Sequence, residues 1–218
     1  NVGAMRNSGI EMSLSFHKRW GDWGFSATGN FAYNKNEVLD LGGVTEQIDS
    51  YIINRVGEPY QSFYGYVCDG MFRTQEEADA YTEQYGNPFG ASKTFKAGDL
   101  RYKDVDGDGS LTAKDRTTIG TSQPKFTYGL NLSASWKNLD VSMLMQGALG
   151  VYRYFNAEVY GDFTGDTMHP CTAWFDAFDE KTNPNGKFPR IAETSKTASY
   201  PNTVSSYWVK RTNYLRFK

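Results

Sequence analysis

The residues best suited to chemistry lie together in Asp104-Val105-Asp106-Gly107-Asp108-Gly109-Ser110-Leu111-Thr112-Ala113-Lys114-Asp115. Carboxylates at the first, third and fifth positions, glycine at the sixth and an acid at the twelfth reproduce the spacing of a calcium loop. Ca2+ is a hard cation that takes about six to eight oxygens. This spacing folds Asp104, Asp106 and Asp108 inward on one turn, the Ser110 carbonyl supplies a further oxygen, and Thr112 and Asp115 complete the ligand positions. Asp115 replaces the usual bidentate glutamate, so the twelfth ligand reaches less far and the site is expected to be weaker or to need a water. Gly98-Asp99-Leu100-Arg101-Tyr102-Lys103 reads as extended, not as an entering helix. The expected cofactor is therefore a structural Ca2+ that pins a long loop, since a sensor needs helices that open on binding; a solvated acidic turn is the alternative.

No other cluster suggests chemistry. His17 and His169 are far apart and in no zinc-binding arrangement, and Cys68 and Cys171, the only cysteines, have no CxxC partner. The two thiols read as free, with a disulfide between them as the alternative. There is no nucleophile elbow, phosphate-binding glycine loop or dinucleotide fingerprint, and acidic pairs such as Asp176 with Asp179 or Glu180 read as a solvated helix face. The chain is not expected to be an enzyme.

The elements that must hold the acidic loop are strands. From Pro124, Phe126, Tyr128, Leu130, Leu132, Ala134 and Trp136 alternate with polar or small residues, and after Lys137-Asn138 the pattern resumes with Leu139, Val141, Met143 and Met145 to Gly147. An earlier pair repeats this design. Met12, Leu14 and Phe16 alternate with serines, a turn follows at Arg19 to Gly24, and Phe25, Ala27, Gly29, Phe31 and Tyr33 continue. Each run has about the 9 to 11 residues of a tilted membrane strand. A soluble sandwich hairpin alternates in the same way, so the hairpins alone leave both readings open.

Trp20, Trp23 and Trp136 stand beside the short turns, as an aromatic girdle would. Long segments at about 35–123 and 148–205 separate the hairpins, so short turns alternate with long connections, the pattern of an outer-membrane barrel. In the first, Thr74 to Tyr85 predicts a short helix with Thr74 as N-cap, Glu77 in a capping box and Gly86 as terminator. In the second, Thr172 to Lys181 predicts another, ended by Asn183-Pro184-Asn185-Gly186.

Composition agrees with a β-protein and excludes little else. The 218 residues include 22 glycines and are 16% aromatic, with a net charge of −2, and mean hydropathy is −0.60. The balance gives no reason to expect nucleic acid. No run of about 18 apolar residues could form a membrane helix, which leaves a barrel open. No signal peptide is visible at Asn1-Val2-Gly3, and both ends read as cuts in a longer protein.

An ordered set of short motifs resembles the SusC/RagA family of TonB-dependent outer-membrane transporters. The set comprises Asn1-Val2-Gly3 with Asn7-Ser8-Gly9-Ile10-Glu11; Val56-Gly57-Glu58-Pro59 with Phe63-Tyr64-Gly65-Tyr66; Asp69-Gly70-Met71-Phe72; and Gly98-Asp99-Leu100 before the acidic loop. Ile119-Gly120, Pro124-Lys125-Phe126, Pro189-Arg190 and Asn213-Tyr214-Leu215-Arg216 follow in order.

The resemblance implies a barrel of about 22 strands closed by an N-terminal plug. It further implies a multi-pass position in the outer membrane, a SusD-like lipoprotein lid, and import of glycans or peptides driven through TonB. The expected fold class is all-β: residues 1–218 form a fragment of one transmembrane antiparallel barrel domain, whose long extracellular loops carry short helices. Plug and final strands are absent from it, and its strands fall near 10–18, 24–34, 124–136, 139–147 and 206–218. Ser26, Asn30, Asn131 and Ser133 would line the lumen. Tyr60, Tyr64, Tyr66, Tyr152, Tyr154 and Trp174 are candidates for stacking on a ligand's sugar rings, or else anchors for the loops. The competing reading is a secreted, calcium-stabilised β-sandwich that binds carbohydrate; a secreted glycosidase domain would lack its acid and nucleophile.

Overall fold

The computed structural model describes residues 3–89, 94–155, 172–191 and 203–218. His169 and Cys171 lie outside the described residues. In chain order the strands are β1 (Ala4–Trp20), β2 (Trp23–Asp40), β3 (Glu46–Asp49), β4 (Ile52–Arg55), β5 (Ser62–Tyr66) and β6 (Cys68–Met71), then helix α1 (Gln75–Tyr85). There follow β7 (Leu100–Tyr102), β8 (Arg116–Thr121), β9 (Phe126–Trp136), β10 (Leu139–Leu149), β11 (Tyr152–Tyr154), β12 (Val209–Arg211) and β13 (Tyr214–Phe217). The chain divides into two compact units, one of residues 1–62, 121–153 and 211–218, the other of residues 63–120 and 154–210.

The first unit is built on an antiparallel sheet in the order β1-β2-β9-β10-β13. Period-two alternation in every strand sorts the side chains onto two faces. On one face Phe16, Ala27, Leu132 and Met143 form a cross-strand row, and Met12, Phe31, Tyr128, Gly147 and Leu215 form another. On the opposite face His17, Ser26, Ser133 and Ser142 stand in register, as do Ser15, Thr28 and Asn131. The Oγ atoms of Ser26 and Ser133 are 2.6 Å apart, and those of Ser15 and Thr28 3.1 Å.

The apolar face is bare. Leu14 is 80% exposed, and Ile10, Met12, Val141 and Phe217 are all exposed. A β-sandwich would bury these side chains against a second sheet, so the sandwich reading finds no support in this unit.

Tight turns at Gly21-Asp22 and Lys137-Asn138 join the long strands, with Gly21 and Lys137 at positive φ (56° and 52°). At this end the Trp23 and Trp136 rings stack at 5.5 Å, and Lys18 and Lys137 lie over Trp20 and Trp136.

The strands depart from expectation at their far ends. β2 continues to Asp40 because its ladder with β1 is carried on by polar partners: Glu37 pairs with Arg6 (3.0 Å) and Lys35 (3.2 Å), and Asn36 with Asn7 (2.7 Å). Charges had replaced the alternation there, so the strand was invisible as a pattern. The expected strand at 206–218 is two short ones. Between them Thr212 donates its N–H to the Val151 carbonyl (2.9 Å), and the Asn213 side chain accepts from the Gly150 N–H (2.9 Å), which takes the backbone out of the ladder.

The second unit holds most of what was expected to be connecting loop, and it has its own core. Phe72, Phe95, Leu100, Tyr102 and Trp208 are almost completely buried, with Ala78, Leu111 and Phe178 against them. Helix α1 forms where its signals stand. The Thr74 hydroxyl accepts from the Glu77 N–H, the Glu77 carboxylate accepts from Arg73 N–H (2.8 Å), and Gly86 ends the helix at φ 73°. The helix expected at 172–181 is instead a 3-10 turn, Thr172–Asp176. Beyond it the Asp179 carboxylate captures the N–H groups of Lys181 (3.0 Å) and Thr182 (2.7 Å), and this side-chain competition for backbone donors turns the chain away from a helix.

Candidate functional site

The acidic loop lies between β7 and the 3-10 turn Ala113–Asp115 that leads into β8. Its backbone is wound around its own carboxylates. Asp104 accepts from the N–H groups of Gly107 (2.7 Å) and Gly109 (2.9 Å), Asp106 from Asp108 (3.2 Å), and Asp108 from Ser110 (2.8 Å). Gly107 and Gly109 take positive φ (74° and 82°), which the turns require and a side chain would resist. One oxygen from each of Asp104, Asp106 and Asp108 lies within 4.8 Å of the others. The Gly109 and Gly107 N–H groups hold the Asp104 carboxyl below the usual carboxylate range.

The remaining loop positions close the loop. Asp115 is fully buried, and its two oxygens accept from the Val105 and Thr112 N–H groups, both at 2.7 Å. The Thr112 hydroxyl accepts from Lys114 N–H in a capping box with Asp115. Ser110 is exposed. The fold thus gathers three of the six expected ligand residues by their carboxylates, while the side chains of Thr112 and Asp115 serve the backbone. The donor set is all oxygen and anionic, which suits a hard divalent cation.

Leu111, between the two halves of the loop, is buried in the core of the second unit, and its N–H donates to the Tyr85 carbonyl at the end of α1 (2.6 Å). The loop is therefore tied to the helix.

The candidate stacking residues divide. Tyr64 and Tyr66 are buried: the Arg116 guanidinium lies over the Tyr64 ring at 4.6 Å, and Tyr66 packs on Tyr102 and Phe89. Their rings act as anchors of the core. Tyr152, Tyr154 and Trp174 are half-buried, and Phe175, which was expected on the 172–181 helix but not as a stacking residue, is 90% exposed. With Trp174, Phe178, Gln75 and Asn183 it lines an open cleft of about 600 Å3.

Sequence reasoning also missed the buried ion pair of Asp99 and Arg190. Asp99 is fully buried, accepts from Arg190 Nε at 2.7 Å and from Lys96 N–H at 2.8 Å, and joins two segments that are distant in sequence. Both residues had been noticed only as parts of short motifs.

The bare apolar face is the remaining feature of the first unit's surface. From Trp23 to Tyr33 it covers ten steps of β2, roughly 33 Å along a strand. Relatives place it. The chain is 31% identical over 236 aligned residues to TonB-dependent receptor P26 of Formosa agariphila, covering all of this chain and 22% of the relative. TonB-dependent receptor P3 of the same organism is 29% identical over 231 residues, again with all of this chain and 21% of the relative. Over its whole length the chain is similar to one segment of these TonB-dependent receptors. It spans about a fifth of the length of these relatives.

Solved structures carry the same fold. A structure of the RagAB peptide transporter superposes with a TM-score of 0.71 at 21% identity, covering 99% of this chain and 22% of that one. The RagAB peptide importer in its open-open state gives 0.71 at 21% identity over the whole chain. No protein-family profile matches this chain. Its relatives are receptors and not enzymes.

Proposed function

We propose that this receptor segment forms part of the membrane wall and the extracellular loops of an outer-membrane importer, acting with a SusD-like surface lipoprotein and energised through TonB. The observation that carries the reading is the apolar face that runs unbroken across five antiparallel strands and is exposed. At the tilt of about 35–45° found in barrels, the stretch from Trp23 to Tyr33 gives an apolar band about 25 Å tall, the height of the lipid-facing band. The stacked pair of Trp23 and Trp136, with Lys18 and Lys137 beside the girdle, sits where an interface would. The opposite face, with Ser26, Asn30, Asn131 and Ser133, would look into the lumen.

The cargo is a peptide or an oligosaccharide. Likeness to a peptide importer supports the first, and the aromatic cleft beside Trp174 and Phe175 serves either. The acidic loop is proposed to hold a structural Ca2+ through Asp104, Asp106 and Asp108 with the Ser110 carbonyl, the charge of the ion relieving the repulsion of three close carboxylates. Calcium titration calorimetry of the full receptor tests this: no heat that depends on Asp104 and Asp108 would end the calcium reading.

The importer reading is tested by membrane fractionation and heat-modifiable gel mobility of the full-length parent. Outer-membrane partition with a shift on boiling is expected. A soluble monomer without a shift would refute it.

A further inference from the structure

The cleft beside Trp174 and Phe175 lies wholly within the second unit, and its volume of about 600 Å3 falls inside the roughly 300–1,000 Å3 of ligand sites. Its floor is the edge of the core. Ala177 and Phe178 are buried there, Trp174 packs half-buried against the same core, and Ile191 adds an exposed aliphatic side chain to the lining. Phe175 is 90% exposed on a braced support. The Ala177 N–H closes the turn onto the Trp174 carbonyl (3.2 Å), Phe178 N–H donates to the Phe188 carbonyl (2.8 Å), and Phe188 N–H donates to the Asp176 carbonyl (3.0 Å).

Rings alone serve a sugar face or an apolar side chain; the polar groups around them decide. Gln75 Nε2 donates to Asp79 (2.9 Å) and to the Phe95 carbonyl (3.3 Å), and Gln75 Oε1 accepts from the Ala97 N–H (3.3 Å). The Thr182 hydroxyl donates to Asp179 (2.8 Å), Asn183 Nδ2 to the Ala177 carbonyl (3.0 Å), and Arg190 Nε to Asp99 (2.7 Å). The planar side chains that would grip sugar hydroxyls are thus engaged within the protein. Among the described residues, Asn183 Oδ1 and the Glu180 carboxylate accept no bond, so what stays open is mainly acceptor. We infer that the cleft takes an apolar, preferably aromatic, side chain of a peptide against Trp174, Phe175 and Phe178, and rejects a neutral sugar chain. A sugar ring carries hydroxyls all round its edge, and each one buried without a partner is costly. A peptide sets only its apolar side chain on the floor and leaves its main chain at the open side. The open acceptors complement the N–H groups and ammonium end that a peptide has and a neutral sugar lacks. This choice between the two cargoes rests on the importer reading only for where the peptide comes from.

The test uses the full receptor complex and three probes read by calorimetry: a hexapeptide of serines with one central phenylalanine, the all-serine hexapeptide, and maltohexaose. The phenylalanine peptide is expected to bind at least about tenfold tighter than the serine peptide. Phe175→Ser should abolish that preference and Phe175→Leu should keep most of it. Neither substitution should disturb folding, because the ring lies outside the core. Equal binding of the two peptides, a preference that Phe175→Ser leaves intact, maltohexaose binding that Phe175→Ser weakens, or binding of no probe overturns the inference. Those results leave the importer reading standing. Conversely, a soluble parent that keeps the phenylalanine preference through Phe175 ends the importer reading and upholds the cleft.

Discussion

Asp99 accepts from Arg190 Nε at 2.7 Å inside the second unit, with the carboxylate fully buried and the guanidinium largely so. Removing one partner strands a charge away from water. Arg190→Met is expected to cost about 3–5 kcal/mol, measured as a lower urea midpoint for protease protection of residues 63–210 in the folded receptor. Asp99→Asn combined with Arg190→Met should cost less than Arg190→Met alone, because the buried acceptor is then neutral.

Gly98, beside this pair, has φ 86°, and a Cβ there would stand 2.7 Å from the Arg190 Cβ and closer still to the Phe178 ring. Gly98→Ala combines left-handed strain with overpacking. A loss of at least about 2 kcal/mol is expected in the same protection assay. Gly43→Ala, also at positive φ but in open space, should lose only the backbone part.

Leu14 and Ser15 are neighbours on opposite faces of β1. If the apolar face meets lipid, Leu14→Arg costs about 2–4 kcal/mol near the middle of the band, whereas Ser15→Arg is much milder. Urea midpoints of the refolded barrel in detergent would separate the two. Equal effects would argue against lipid contact.

The Asp104 carboxyl is held below its usual range by the Gly109 and Gly107 N–H groups. Its contribution to loop stability is therefore fully present above the ordinary carboxylate range and is lost as pH falls through the lowered, folded value. Protease resistance of the loop should fall with acid in that window, and Asp104→Asn should flatten the profile. Protons also compete with metal, so calcium should extend protection to lower pH in the parent and not in the variant.

Cys68 donates its thiol to the Gly70 carbonyl (3.2 Å), and burial pushes its pKa up. Alkylation at pH 8 should be much slower in the folded receptor than in urea. Labelling followed by mass spectrometry of the Cys68 peptide checks this.

What the sequence disclosed follows from how locally each feature is encoded. The long hairpins were legible because Met12 to Phe16 and Phe126 to Trp136 alternate strictly, and α1 because Thr74, Glu77 and Gly86 act within a few residues of one another. The upper half of β2 was not, since the partners that carry it, Arg6 for Glu37 and Asn7 for Asn36, are about 30 residues away. For the same reason the 35–123 and 148–205 segments read as loops. Their cohesion rests on rings such as Phe72, Tyr102 and Trp208, which meet only in three dimensions. The acidic loop disclosed its spacing, but not that Asp115 would close the loop through Val105 and Thr112.

The hydroxyl pairs on the polar face of the first unit, Ser26 with Ser133 and Ser15 with Thr28, share a property that amide or ionic pairs lack. Either oxygen can be the donor. Rotating one hydroxyl and then its neighbour reverses the direction of the bond without moving a heavy atom. A wall tiled in this way presents no fixed pattern of donors and acceptors. It can answer either kind of group with the other.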